Sequence, residues 1–420
     1  MLKRASLFLC VCLFLVSSQL CAEVILSEKF SVGGQIRTRF EQTYEQKYGV
    51  SNDSLTLLRT RFHADFKPKN FLRGFIQFQD SRVWGEEDTT ANALDNLDLH
   101  QGYVDLVFQN MTEIQWPFTL RLGRQAFSFG DERILGAFEW DNVARAFDAI
   151  RLIYDRGSLN LHAWSSKIED TVIPPNASTG DEEDFHGFYA TWKAASEQML
   201  DVYGFFDRDN STATQGGDVW TGGARWHGKT SIWDWDIESA FQFGKLAGNT
   251  LRAFAIHGAA HHTFSFLKGL RLGAEYNLAS GDKSSTDNRV QTFDNLFPTN
   301  HLKYGYMDLV SLRNAQNFAL RSNFKPRNNV PLFLSLDYWY FLLHRNTDNA
   351  YRASGASFRS TVAGASKKLG QEIDFTAEYK YEKDLSILLG ASHFFAGQFL
   401  EDTGESKDAN FFYTQLVMNF

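Results

Sequence analysis

Residues 119–151 read TLRLGRQAFSFGDERILGAFEWDNVARAFDAIR. Leu120 and Leu122 alternate with Thr119, Arg121, Gly123 and Gln125, so residues 119–127 form a strand with one apolar and one polar face. Burying an unpaired guanidinium such as that of Arg121 in a dry core is prohibitive, so the polar face requires water. A wall with its apolar face outward and its charged face on water is the pattern of a membrane β-barrel, lipid outside and aqueous lumen inside. A second strand begins near Ala146 and returns through Arg151. Between the two, Asp131, Glu132, Arg133, Asp141, Arg145 and Asp148 concentrate charge in one excursion, which is expected to fold over or into the pore and help decide what passes.

Outward from this pair, the same two-residue period recurs. Eighteen alternating runs follow the N-terminal segment, from residues 30–41, where Val32, Ile36 and Phe40 oppose Gln35, Arg37, Arg39 and Glu41, to residues 410–420. Every second connection is short, as at Pro68-Lys69-Asn70 and Asp155-Arg156-Gly157. The alternate ones, around Tyr48, Glu87, Arg133, Thr179, Ser211, Lys283, Asn349 and Asp402, are mostly long and polar, and only that near Gly248 is brief. A soluble sandwich has no reason to sort loop length by parity, whereas an outer-membrane barrel has short periplasmic turns and long extracellular loops. The expected fold is all-β, a single transmembrane antiparallel barrel of about eighteen strands with both termini on the short-turn side. The last run places Phe412, Leu416, Met418 and Phe420 on one face and stops on an aromatic, resembling the assembly signal of bacterial outer-membrane proteins.

The chain opens with Lys3 and Arg4, an apolar run from Leu7 to Val16, and Ser17 to Ala22. That order reads as a signal peptide over residues 1–22, leaving residues 23–420 as the barrel domain. All three cysteines, Cys10, Cys12 and Cys21, fall within it, so the mature chain is expected to hold no disulfide. Removing Lys3 and Arg4 lowers the 42 basic residues to 40 against 50 acidic ones, a net charge near −10 that disfavours nucleic acid as partner. The aromatic content, 15% with 38 Phe and 10 Trp, calls for a large apolar surface, and beyond the leader no apolar run approaches helix-spanning length.

No catalytic constellation is recognised: there is no G-x-S-x-G or H-E-x-x-H. No cofactor is expected and the reading is of a non-enzyme. His257 and His261 share a strand face but are too far apart for one metal, and the acidic run Asp181 to Asp184 reads as a solvated loop in preference to a calcium site, so no metal is assigned. Charge is the informative signal. On the lumen phase Arg37, Arg39, Arg59, Arg61, Arg73, Arg121 and Arg151 lie early in the chain, with Arg225, Arg271 and Arg321 later. Acids on that phase gather as Asp201, Asp207, Asp234, Asp236 and Glu238, and again as Asp337, Asp374 and Glu378. A basic wall should therefore face an acidic one and select by sign of charge, unless these charges pair between neighbouring strands.

The blocks GRQAFSFGDERILGAFEWDNVARAFDAIR, FDNLFPTNHLKYGYMDLVSLRN, LDYWYF, DNAYRASG, GQEIDFTAEYKY and GASHFFAGQF are similar to the alginate export porin family of Gram-negative outer membranes. That resemblance implies an eighteen-stranded barrel with an electropositive constriction, embedded among outer-membrane lipid and lipopolysaccharide. The implied substrate is an anionic polysaccharide or its oligomers, with periplasmic export components as further candidate partners. Carried over by motif, Arg124, Asp131, Arg133, Asp141, Arg145 and Arg151 are the pore-lining candidates, joined by Arg39, Arg59, Arg61 and Arg121 from the charge pattern. Arg124 stands on the opposite phase from Arg121, so its place in the pore requires a bulge or an early loop. The competing readings are a general or nutrient-specific porin for small solutes, and a barrel hydrolase acting on outer-membrane lipid.

Overall fold

Two-residue alternation becomes strand structure wherever one face can meet lipid and the other a polar interior. A computed structural model describes residues 24–44, 53–85, 95–110, 118–168, 183–209, 216–267, 269–326 and 330–420. Its wall consists of β1 (Phe30–Tyr44), β2 (Asp53–Lys69), β3 (Leu72–Gly85), β4 (Asp95–Val107), β5 (Phe118–Gln125), β6 (Phe147–Arg156), β7 (Leu159–Ile168), β8 (Glu183–Ala195) and β9 (Gln198–Asp209). The second half is β10 (Gly217–Lys229), β11 (Trp233–Leu246), β12 (Asn249–Phe264), β13 (Leu270–Ala279), β14 (Ala315–Phe324), β15 (Leu332–Leu343), β16 (Lys368–Glu382), β17 (Leu385–Ala396) and β18 (Ala409–Asn419). Each pairs antiparallel with the next, and β18 returns to β1 with Asn419 beside Gln35 and Asn410 beside Tyr44, so the sheet closes. Closure removes the free edges that would otherwise leave backbone groups unpaired in lipid. The eighteen strands and their antiparallel closed arrangement are those expected from the alternating runs.

Phase sorts the side chains. Phe40, Phe62, Phe78, Leu122, Ile150, Trp220, Phe241 and Leu320 stand exposed on the outer face, while Arg37, Arg39, Arg59, Arg61 and Asp105 on the other phase are buried within the barrel. Connections at one end are tight: Gly157, at φ 62°, turns β6 into β7 in the left-handed region that glycine tolerates. The chain terminus lies at this end, where Gly34 and Phe420 exchange backbone hydrogen bonds at 2.6 and 3.0 Å. At the other end, long segments 126–146, 280–314 and 344–367 return into the lumen, and a short helix, Gln398–Thr403, precedes β18. The leader, the loops around Tyr48, Glu87 and Thr179, the centre of that at Ser211 and residues 181–182 of the acidic run lie outside the described residues.

The interior is not uniformly wet. Phe127 and Phe129 of the first returning segment pack with Phe147, Trp164, Phe185, Tyr189 and Phe205 from β6 to β9, with ring centroids 4.6 Å apart for Phe127–Phe147 and 4.7 Å for Phe129–Tyr189. Phe297 of the second segment sets its edge on Phe185 at 4.8 Å. Charge alternation alone implied an aqueous lumen throughout. An inward loop must instead be held, and aromatic rings bury large apolar area with few rotatable bonds.

Candidate functional site: a lumen constriction built by inward loops

Segment 126–146 leaves β5, is anchored by Phe127 and Phe129, and lays its tip, Glu139 to Val143, along the inner faces of β1–β3. Backbone carbonyls of a buried irregular segment need donors from elsewhere, and the wall arginines supply them. Arg37 donates to the Glu139 and Asp141 carbonyls at 2.5 and 2.7 Å, Arg39 to the Trp140 carbonyl at 2.6 Å, and Gln79 to that of Val143 at 2.6 Å. The Glu139 carboxylate takes Arg59 at 2.9 Å and Arg61 at 2.8 Å, yet keeps about half its surface open to the lumen. Burial opposes its charge, but Arg59 and Arg61 prevail and hold its pKa down to about 2. Trp140 is stacked on Arg39 at 3.7 Å and on His301 at 3.6 Å, which ties the tip to the second inward segment.

Toward the opposite wall the loop presents Arg133, almost wholly buried. Its guanidinium lies 3.0 Å from Asp131 and 3.1 Å each from Glu275, Asn277 and His257. Burial works against the Arg133 charge, but Asp131, Tyr304 and Glu275 raise its pKa well above the usual arginine value. Three separate groups of ion pairs lie along the wall: Arg321 with Glu275 and Asp337, Asp234 with Arg271, and Arg225 with Asp236 and Asp201; His261 lies 3.1 Å from Asp234. Much of the acidic wall is thus tied to arginines of neighbouring strands. It bounds a cavity of about 670 Å³ at the short-turn end, into which Lys303 projects beside Asp131 at 3.2 Å.

Segment 280–314 meets the first loop in a parallel bridge between Leu135 and Phe297, reinforced by Gly136 donating to the Phe297 carbonyl and Thr299 to that of Glu132, both at 2.8 Å. Arg145 spans the junction through the Gly136 and Pro298 carbonyls. The second loop is moored to β16, where one oxygen of buried Glu372 accepts from the Tyr306 and Met307 amides at 2.7 and 3.0 Å. Gly305, at φ 88°, permits this approach, since a β-carbon there would lie 2.6 Å from that carboxylate.

Of the residues expected at the pore, Arg39, Arg59, Arg61, Arg121 and Arg151 face the lumen, and Asp131, Arg133, Asp141 and Arg145 lie on the inward loop. Arg39, Arg59 and Arg61 grip that loop, and Arg133 and Arg145 brace it. Arg121 binds Asp105 at 2.7 Å and stacks on Tyr103 at 3.8 Å, while Arg151 bonds His162 at 3.0 Å. Arg124 is a correction. Regular alternation continues through it, so it stands on the outer face with exposed Leu122 and Ile150 and pairs with Asp148 at 3.1 Å. Neither a bulge nor an early loop turns it inward. Glu139, Lys303, Glu275 and Glu372 were not singled out in sequence, because one carboxylate or amine among many carries no local mark of a distant partner. Asp131, Asp236 and His257 bring ligand atoms within 4.8 Å of one another, but Arg133, Arg225 and Lys303 already balance that cluster.

A closed eighteen-stranded barrel with a lipid-facing apolar belt and loops folded into a charged lumen defines a channel of the Gram-negative outer membrane. The chain belongs to the alginate export family, whose sequence model matches residues 28–414. In fold it is similar to Pseudomonas aeruginosa OccK11 (OpdR), at 12% identity and TM-score 0.60 over 93% of this chain and 96% of that one. OprD of the same organism is similar at 13% identity and TM-score 0.60, covering 96% and 97%. OccK2 (OpdF), whose structure is a complex with glucuronate, is similar at 13% and 0.58, covering 93% and 98%. No curated protein matches the chain in sequence.

Proposed function

We propose that the barrel passes an anionic polysaccharide of the alginate class, or its oligomers, along the arginine-rich inner wall of β1–β6. The observation that carries this reading is the surplus of guanidinium there. Arg151, held by His162, is not cancelled by a carboxylate ion pair among the described residues, whereas Arg37 is buried beneath the loop and occupied by its carbonyls. Arg73 pairs with Asp65 at 2.8 Å and shares Asp105 with Arg121, and both arginines leave part of their side chains open to the lumen. Successive, partly compensated guanidinium groups offer weak carboxylate sites in series, so that no single one traps a polymer. Family membership and the glucuronate complex of OccK2 support a uronate class.

A second reading, a nutrient-specific channel for single sugars or other small solutes, is favoured by the Leu135–Phe297 junction, which joins the two inward loops. Planar-bilayer recording separates the two. The polymer reading expects anion preference, brief blocks by uronate oligomers, and about tenfold weaker block after combined Arg73→Ala, Arg121→Ala and Arg151→Ala substitution, as for lost charge-assisted bonds. A cation-preferring pore, or one indifferent to oligomers, overturns it; passage of monouronate with oligomers excluded supports the second.

A further inference from the structure

On the outer face, at the end carrying the long loops, strand register lines up one row of charges. Arg124 lies opposite Asp148, Asp148 opposite Lys167, Lys167 opposite Asp184, Asp184 opposite Arg208, Arg208 opposite Asp218, and Asp218 opposite Lys245. The sign therefore alternates across the seven strands β5–β11. Three of these contacts are ion pairs, Arg124–Asp148 at 3.1 Å, Lys167–Asp184 at 3.8 Å and Arg208–Asp218 at 2.8 Å. Beyond Lys245 the row continues through Thr250 to Arg289, and Arg252 stands one step further along the same face of β12. Lys245, Arg252 and Arg289 are exposed and have no carboxylate ion-pair partner among the described residues.

Directly beneath, toward the middle of the wall, lies a row of rings. His186 stacks with Phe206, Phe206 meets Trp220 at 4.3 Å, Trp220 stacks with Phe243 at 6.4 Å, and Arg252 reaches over Phe243 at 6.0 Å. Aromatic girdles mark the membrane–water boundary of barrels, and charge on the lipid face is far less costly near that boundary than at the midplane. The charged row consequently sits at headgroup level in the outer leaflet.

We propose that this row docks the phosphorylated glycolipid of the outer leaflet. Lys245, Arg252 and Arg289 take its phosphate groups, and Asp148, Asp184 and Asp218 share divalent cations with neighbouring phosphates. A layer of phosphates bridged by divalent cations presents both signs side by side, as the row does, and the cationic end of the row matches phosphate that no metal has neutralised. The rings beneath offer apolar faces to the acyl chains. This docking is independent of what the lumen carries.

The test uses the full chain in nanodiscs, with lipid retention read by native mass spectrometry for diphosphoryl lipid A, its dephosphorylated form and inorganic phosphate, with and without Mg²⁺. Wild type should retain diphosphoryl lipid A, more strongly with Mg²⁺. Combined Lys245→Glu, Arg252→Glu and Arg289→Glu substitution should weaken retention at least tenfold while leaving anion selectivity unchanged. Equal retention by the variant, or of the dephosphorylated lipid, overturns the proposal, as does phosphate binding as strong as lipid binding. A dimer of the chain that the substitutions dissolve also overturns it, by assigning the row to a second copy. Should the triple variant fail to assemble, Asp184→Asn with Asp218→Asn decides: loss of the Mg²⁺ enhancement supports the site, and an unchanged enhancement refutes it.

Discussion

Arg133 and Glu139 show how a single side chain governs an irregular segment inside a barrel. Arg133 is reached by Asp131 and Glu275, and its removal leaves the nearly buried Glu275 with Arg321 as its remaining arginine partner among the described residues, beside the Asn277 amide. Truncating one partner of a buried ion pair typically costs about 3–5 kcal/mol. Arg133→Ala is therefore expected to free the loop, seen as faster amide exchange over residues 131–136 and earlier denaturation in lipid vesicles. Glu139 acts at the tip and is half open to lumen water. Its pKa is lowered from the ordinary carboxyl value to about 2, so its contribution is complete above that ordinary value and is lost as pH falls through about 2. Gating noise should rise as pH is lowered from about 4.5 toward 2, while Glu139→Gln should be noisy at neutral pH and show no such rise. A Glu139→Gln channel as quiet as wild type at pH 7 would remove this carboxylate from the latch.

At the scale of elements, the two inward segments differ in how they are held. Segment 126–146 is fastened at many points by rings and arginines, whereas the mooring of segment 280–314 on β16 rests on two amides received by one Glu372 oxygen. Placing a β-carbon at Gly305 meets that carboxylate and puts an L-residue in left-handed backbone, at about 1–2 kcal/mol for the conformation alone. Gly305→Ala is expected to loosen the second loop and raise single-channel conductance; unchanged conductance would show that its other contacts, among them Asp294 with Gln242 and the Leu135–Phe297 junction, hold it without the Glu372 mooring. The charge density of residues 131–148 made the first loop's inward course readable from sequence. Segment 280–314 carried no comparable signal, because the donors Tyr306 and Met307 offer only backbone amides and the acceptor lies 65 residues further on.

For the whole molecule, the decisive property is which face meets lipid. Leu320 stands 63% exposed in the middle of β14, among the most open apolar side chains of the wall. Leu320→Arg should destabilise the barrel by about 2–4 kcal/mol, the range for a cation at bilayer mid-depth, measured by reversible unfolding in vesicles. A negligible effect would place β14 away from lipid.

Period-two alternation was enough to mark the strands, give both faces of each and, with loop parity, reach eighteen strands closed in a membrane, because side-chain direction along a strand is a local consequence of backbone geometry. It was also enough for Arg124: alternation alone set that residue outward, where the structure has it. Partner choice was beyond its reach. Arg37 meets the carbonyl of Glu139 102 residues away, and Arg133 meets Glu275 142 residues away, contacts that exist only once closure brings the walls around a returning loop. Whether a lumen arginine faces passing solute or grips a loop depends on such non-local encounters, so the tertiary structure alone decided it.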